Sequence, residues 1–448
     1  MKKNLKPRKR QQSGQALLIA LGVTTILVSI LAVTAASQRT AMQAEANRMA
    51  QRKTFLVAQS AAEMAIQSLM EGQSGLSSST SASSSTSAAT STVTTNVSML
   101  QDDWATLGST GAVKYVLGET SFRIQIIDTC SLLDINQVTT AQLVNMGLTQ
   151  ELADCINDFH SPGETAAPDG AKDPYYNGLA NPYNAKLTTL DTVDELLHVK
   201  DVTPDVLYDP QSTSGAVTLQ SNTNGQMPAL YDLCTAYAYA PNTTAAGRPR
   251  TNVNTSTNVQ LRQLGLSPNT ADILKPPPGP FARPTNWTSL GQIFTSNPNI
   301  SAADARIILN NLATSTATQT EGLVNINTAS QNVLALIPNV TSDVATALVA
   351  QQQSGFATLG AILSVPGITT RSLGTLANRI CIASTTYEAR IVATAGSAQT
   401  AYTAIVQITA GVPKIVSITP APFSASQMIS RWGWVADTTS ETNLVQSQ

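Results

Sequence analysis

From Gln11 to Gln38 the chain carries no charged residue, and Ala16 to Ala36 (ALLIALGVTTILVSILAVTAA) is a 21-residue apolar run. At ~1.5 Å per residue a helix of that length crosses the roughly 30 Å hydrocarbon core of a bilayer. Lys2, Lys3, Lys6, Arg8, Lys9 and Arg10 precede the run, while Arg39 alone follows it closely. The positive-inside rule therefore predicts a cytoplasmic N-terminus and an external bulk. The alternative is a cleaved secretory signal with Ala35-Ala36-Ser37 as its site, although the apolar region of such a signal usually runs about 7 to 15 residues.

The segment from Gln38 to Met70 contains no Pro or Gly. Met42, Met49, Leu56, Ala62 or Ala65, Ile66 and Leu69 recur in it at helical spacing, with Arg39, Glu45, Arg48, Arg52, Lys53 and Glu63 between them. One helix over 15–70 is predicted, about 84 Å long. Its greasy first half and amphipathic second half suit a subunit that leaves the membrane to pack in a fibre. The six basic residues of the head are drawn from 26 in the chain, so 20 basic face 28 acidic residues elsewhere. With a formal net charge of -2 and a pI near 5.8, bulk charge argues against nucleic-acid binding.

A basic leader ending in Ser13-Gly14, followed by Gln15-Ala16-Leu17-Leu18-Ile19 and a long apolar helix, resembles the signal of type IV pilins and type II secretion pseudopilins. The resemblance implies cleavage after Gly14 by a prepilin peptidase and N-methylation of Gln15. Most members of that family carry Glu as the fifth mature residue, where this chain has Ile19. Together with the "ALL" run, that absence resembles the minor pseudopilin K of type II secretion.

Between Gln73 and Ser98, 17 of 26 residues are Ser or Thr and none is charged. That composition predicts a flexible tether, or an O-glycosylated stalk. Val113 to Leu117 and Ser121 to Ile127 read as strands. A threefold repeat then spans 131–384. Asp134-Ile-Asn136, Asn252-Val-Asn254 and Asn325-Ile-Asn327 align, with Leu143, Leu261 and Leu334 seven residues after the second Asn. Met146, Leu264 and Ile337 follow on the same face. Ala153, Ala271 and Ala345 come next, then Ile156, Leu274 and Leu348, after one inserted residue in the third copy. A further element closes each copy: Thr192 to Thr203, Ser289 to Phe294 and Thr358 to Thr369. The N-x-N-T pattern is read as a helix start, its Asn or Thr side chains capping helices from Gln137 and Ala329. The units resemble helix-hairpin-helix and SAM-like folds. Their hairpins (Met146-Gly147-Leu148, Leu264-Gly265-Leu266, Ile337-Pro338-Asn339-Val340) have few basic neighbours, which favours a protein-binding spacer over phosphate contacts.

Asp158, Gly170-Ala171, Tyr175-Tyr176, Pro182-Tyr183 and Glu195-Leu196-Leu197 with Val199 match a pseudopilin K segment. The departures are Phe159 for Trp, Ser161 for Asp and Lys172 for Glu. In that family the loop binds calcium through oxygen ligands. The acids available here are Asp158, Glu164, Asp169, Asp173, Asp191 and Asp194, with a solvated acidic loop as the alternative. Calcium is the one cofactor the resemblance implies.

His160 and His198 lie in unlike surroundings, and Cys130, Cys155, Cys234 and Cys381 lack C-x-x-C spacing, so neither a catalytic histidine nor zinc is indicated. Outside the cytoplasm, Cys130 with Cys155 is the expected disulfide and Cys234 with Cys381 the second. Glu388 to Thr394, Tyr402 to Thr409 and Lys414 to Thr419 read as strands that complete the sheet begun by Ser121 to Ile127.

The reading is an α+β chain: a transmembrane and pilin-like helix, and a pilin-like antiparallel sheet with a large inserted helical repeat region. Its parts are a leader (1–14), helix (15–70), linker (71–98), first sheet portion (99–130), repeat 1 (131–210), linker with repeat 2 (211–321), repeat 3 (322–384), closing strands (385–427) and a tail (428–448), in which Trp432 and Trp434 suggest docking. The implied role is a non-enzymatic tip or initiator subunit of an inner-membrane pseudopilus. Implied partners are the other minor pseudopilins, the major pseudopilin, and secreted cargo or the outer-membrane channel. A minor pilin of a type IV pilus and an anchored DNA-uptake receptor are the alternatives.

Overall fold

The computed structural model describes residues 12–73, 96–210, 217–222, 224–276, 286–436, 438 and 440–444, with side chains in the first helix from 16 to 71. Most of the expected leader and linker, residues 1–11 and 74–95, lie outside the described residues.

Helix α1 (Gln12–Gln73) runs without a break. Its apolar half has no protein around it, as a membrane-crossing segment requires. Its other end lies on a six-stranded sheet of β1 (Val113–Leu117), β2 (Thr120–Asp128), β3 (Thr386–Ala395), β4 (Ala398–Thr409), β5 (Val412–Pro420) and β6 (Ser440–Asn443), in the order β5-β4-β3-β2-β1-β6. All pairs are antiparallel except β1 with β6. The residues of α1 that touch the sheet are Val57, Ala58, Ala61, Ala62, Ala65 and Leu69, against Phe122, Ile124, Ile391, Ala404 and others. The buried stripe is therefore alanine-rich: of the residues noted at helical spacing, Ala62, Ala65 and Leu69 lie on the sheet, whereas Met42, Met49 and Leu56 are 71%, 56% and 60% exposed. Alanine lets the helix backbone approach the sheet closely, whereas the larger side chains are turned away.

Everything between β2 and β3 is inserted. Each copy opens on a two-residue strand carrying the first Asx of its motif and closes by a parallel pairing with a second two-residue strand. Leu133–Asp134 pairs with Cys234–Thr235, Thr251–Asn252 with Leu312–Ala313, and Val324–Asn325 with Ile380–Cys381. Leu143, Leu261 and Leu334, Ala153, Ala271 and Ala345, and Ile156, Leu274 and Leu348 are all buried in one continuous core. Helices α2 (Thr140–Asn145), α3 (Gln150–His160), α4 (Asn258–Gln263), α5 (Pro268–Leu274), α6 (Gln331–Ala335) and α7 (Ser342–Gln352) form the hairpins. They begin later than predicted, because Thr139, Thr257 and Ser330 are the caps, accepting from Gln142 N, Gln260 N and Val333 N. The first Asx instead closes a turn onto the amide two residues on: Asp134 Oδ1 with Asn136 N (2.9 Å), Asn252 Oδ1 with Asn254 N (2.8 Å) and Asn325 Oδ1 with Asn327 N (3.0 Å).

Sheet and insertion meet at Asp128, the last residue of β2, which is fully buried. Its Oδ2 accepts from Asn325 Nδ2 (2.7 Å) and Thr328 Oγ1 (2.7 Å), and its Oδ1 from Cys130 N (2.8 Å). Burial raises its pKa even against those donors.

The described residues of the expected tail are packed on the sheet or pair with it. Helix α8 (Ala425–Arg431) and the indoles of Trp432 and Trp434 pack on the sheet face opposite α1, over Val392 and Ala401. Trp434 Nε1 donates to Gln125 Oε1 (2.7 Å), and β6 extends the sheet beside β1.

Candidate functional site

The second Asn of each motif does work that helix capping does not describe. Asn136 Oδ1 accepts from Leu190 N (2.7 Å) while its Nδ2 donates to Leu190 O (3.2 Å). Asn254 holds Trp287 by both groups (2.8 and 2.9 Å), and Asn327 holds Phe356 (2.7 and 3.2 Å). A primary amide has the donor–acceptor pair of a peptide unit, so it pairs with a backbone segment as a neighbouring strand would. In each copy the clamped residue stands three positions before the third helical element, at Val193, Leu290 or Leu359. The clamp therefore sets where that element returns to the hairpin. The signal was present in the sequence as the repeated second Asn, but its partner was not.

In the first copy the clamped chain encloses the loop that carries the acidic candidates. Phe159, Tyr176 and Tyr183, three residues of the family-like segment, form its apolar floor, with ring centroids 5.4 and 5.2 Å apart. The six acids do not converge. Asp158 Oδ2 accepts from Ala167 N (2.8 Å), Asp173 Oδ1 from Ala185 N (2.7 Å) and Asp194 from the Tyr208 hydroxyl (2.8 Å). Asp191 is bound by Lys186 (2.6 Å), which also reaches Glu195 (2.6 Å), and Glu164 and Asp169 are exposed. Among the described residues no group of three or more His, Cys, Asp and Glu could hold a metal ion.

Of the two histidines, His198 is exposed at the edge of the Tyr183 ring. His160 is buried with Nε2 unpartnered. Burial, and then the charge of Lys172, lower its pKa and disfavour the charged imidazole. The four thiols are free and buried. The expected Cys130–Cys155 pairing does not match the packing. Cys130 lies with Cys381, Ala238 and Ala240 beneath the junction of sheet and insertion. Cys155 is in the repeat core with Sγ 3.5 Å from Asp169 O, and Cys234 belongs to that same core, so Cys234–Cys381 is not formed either. The difference arises because the strand end turns toward the third copy, not the first. Gly14 and Gln15 fall in the first turn of α1, with side chains outside the described residues; Ile19 is exposed.

An open cleft of about 940 Å³ lies between insertion and sheet, lined by Tyr208, Asp232, Gln331, Arg390, Phe423 and Arg431 among others. Its cations are already matched. Arg431 pairs with Asp232 (2.7 Å), donates to Tyr208 O and lies against Phe423 and Tyr231, and Arg390 pairs with Glu388 (3.0 Å). Beside the second hairpin, Arg262 is held by Asp272 (2.8 Å). Neither place offers the free positive charge that a phosphate ligand needs.

Two family models match the chain: the first domain of type II secretion system protein K at residues 134–209, and type II secretion system protein K at residues 324–381. These are the first and third copies, each opening at the first Asx of its motif or the residue before it. Among curated proteins no sequence matches the chain. Among solved structures, the crystal structure of the GspK-GspI-GspJ complex from the enterotoxigenic Escherichia coli type 2 secretion system contains a similar chain. That similarity has a TM-score of 0.46 and 12% identity over 86% of this chain and 100% of that one. Both family models match in order along the insertion, so the chain is similar there to type II secretion system protein K.

Proposed function

We propose that the chain is a minor pseudopilin K of a type II secretion system, a structural, non-enzymatic subunit that initiates or caps a periplasmic pseudopilus, anchored in the inner membrane with its N-terminus in the cytoplasm. Its leader is cut after Gly14 by the prepilin peptidase, which methylates Gln15. The other minor pseudopilins and the major pseudopilin are its partners, reached through α1. The observation that carries this reading is the exposed seam of Met42, Met49 and Leu56, seven residues apart on a helix whose opposite face is already used by the sheet. Side chains at that spacing line one side of a helix and suit packing against another helix. A plain anchor has no need of such a seam beyond the membrane.

The tip position is supported by Ile19 and by the bulk between β2 and β3. A Glu at that place in a helix bundle would need a partner charge in an apolar environment, such as the methylated amino end of the subunit ahead. Ile19 brings no charge that requires one, and roughly 250 inserted residues would obstruct a subunit stacked above them. Gold-labelled protein should mark one end of isolated pseudopili; labelling along their whole length would overturn the assignment. Ile19→Glu should impair assembly, while Ile19→Val leaves secretion intact.

A further inference from the structure

The loop after α3 is closed by a cation of the chain's own. Pro162 has no N–H, so the Asp158 carbonyl lacks the amide that a continuing helix would bring to it. Lys172 supplies the missing donor. Its Nζ donates to Asp158 O (2.6 Å), Ser161 O (2.7 Å) and Ser161 Oγ (3.1 Å), and the residue is only 4% exposed. An ammonium has three donors, and here all three are used on protein oxygens. The two carbonyls stand at the C-terminal end of α3, where the helix dipole also favours positive charge.

The groups around this ammonium leave it without a carboxylate ligand. The Asp158 carboxylate turns to Ala167 N, and the loop wraps so closely around it that a Cβ on Gly170 would stand 1.8 Å from Asp158 Oδ2. Asp173 is engaged by Ala185 N (2.7 Å), and burial beside Lys172 disfavours the charged form of His160. A divalent ion set among the same oxygens would bring two charges to a cradle of neutral donors beside a lysine, the opposite of the carboxylate-rich set that holds calcium. The loop therefore does not fit the calcium ion that the family resemblance implies.

We propose that the Lys172 ammonium is the built-in cation of the 161–172 loop, taking the place of a bound divalent ion, so that the order of this loop is independent of calcium. The detergent-extracted full-length protein should melt at the same temperature in millimolar calcium chloride and in EGTA. Lys172→Met, which keeps the length of the stem and removes the donors, should melt several degrees lower in both. Should Lys172→Met fail to fold, hydrogen exchange of the 158–172 amides in the unaltered protein decides, and equal protection in calcium and EGTA is the expected result. A calcium-dependent rise in melting temperature or in loop protection would overturn the proposal, as would a Lys172→Met protein that melts like the original.

Discussion

Replacing Asp134 with Asn tests whether the first repeat carries an electrostatic burden that the other two avoid. Asp134, Asn252 and Asn325 occupy one position of the repeat and make the same turn with one side-chain oxygen. Only Asp134 is ionisable. It is 3% exposed, and its second oxygen, Oδ2, is buried with no hydrogen-bond partner. It borders a gap of about 10 Å³ shared with Gln137, Gly322 and Arg379, room for about one water. Burial, followed by the Glu321 charge, pushes its pKa up from 3.8 to about 7. The folded state thus holds the proton more tightly than the unfolded chain. This contribution to stability is full below about pH 3.8 and is lost as pH rises to about 7. At about 1.36 kcal/mol per pH unit, the interval amounts to about 4 kcal/mol. Asp134→Asn keeps the turn through its Oδ1 and cannot ionise. Urea unfolding of the detergent-extracted protein, followed by tryptophan fluorescence, should find the variant within about 1 kcal/mol of the original at pH 4 and more stable by up to about 4 kcal/mol at pH 8. Because Asp102 and Asp128 are also shifted upward, the measured quantity is the difference between variant and original at each pH. A difference that stays constant from pH 4 to pH 8, or a variant less stable at pH 8, would refute the argument.

Three further outcomes follow from the packing. Asn327→Ala should cost about 2 to 4 kcal/mol in the same urea assay, because it strands the Phe356 N–H and C=O in a buried place. Ala61→Leu should lower stability by roughly 1 to 3 kcal/mol, since Ala61 is fully enclosed between α1 and the sheet and the added carbons have no void to fill. Under oxidising conditions, exchange with an added oxidised disulfide such as oxidised glutathione, which is reduced in turn, should join Cys130 to Cys381 and leave Cys155 outside that bridge, and peptide mapping without reductant that returned a Cys130–Cys155 peptide would contradict the packing.

Much of this molecule is written in residues close together in the chain. An apolar run of 21 residues permits a membrane-crossing helix wherever the rest of the protein goes, and alternating apolar positions mark β2 to β5 because a half-buried strand has a period of two. The repeat was legible for the same reason: Leu143, Leu261 and Leu334 keep their distance from the motif because each must meet the same core. What the linear pattern could not decide is which distant group completes each local one. Asn136, Asn254 and Asn327 read as part of a helix start until the chain returns with Leu190, Trp287 and Phe356 and shows them as clamps. Which face of α1 meets the sheet was decided only by the fold, because hydrophobicity ranks Met and Leu above Ala, whereas close approach of a helix to a sheet selects the small residue. Cys130 found Cys381 through the turn that ends β2. Lys172 stood out in the sequence as a departure from a family pattern, but only the folded loop placed its ammonium among three oxygens. Each of these outcomes depends on burial and direction in three dimensions, which a side chain acquires from its distant neighbours and not from its place in the chain.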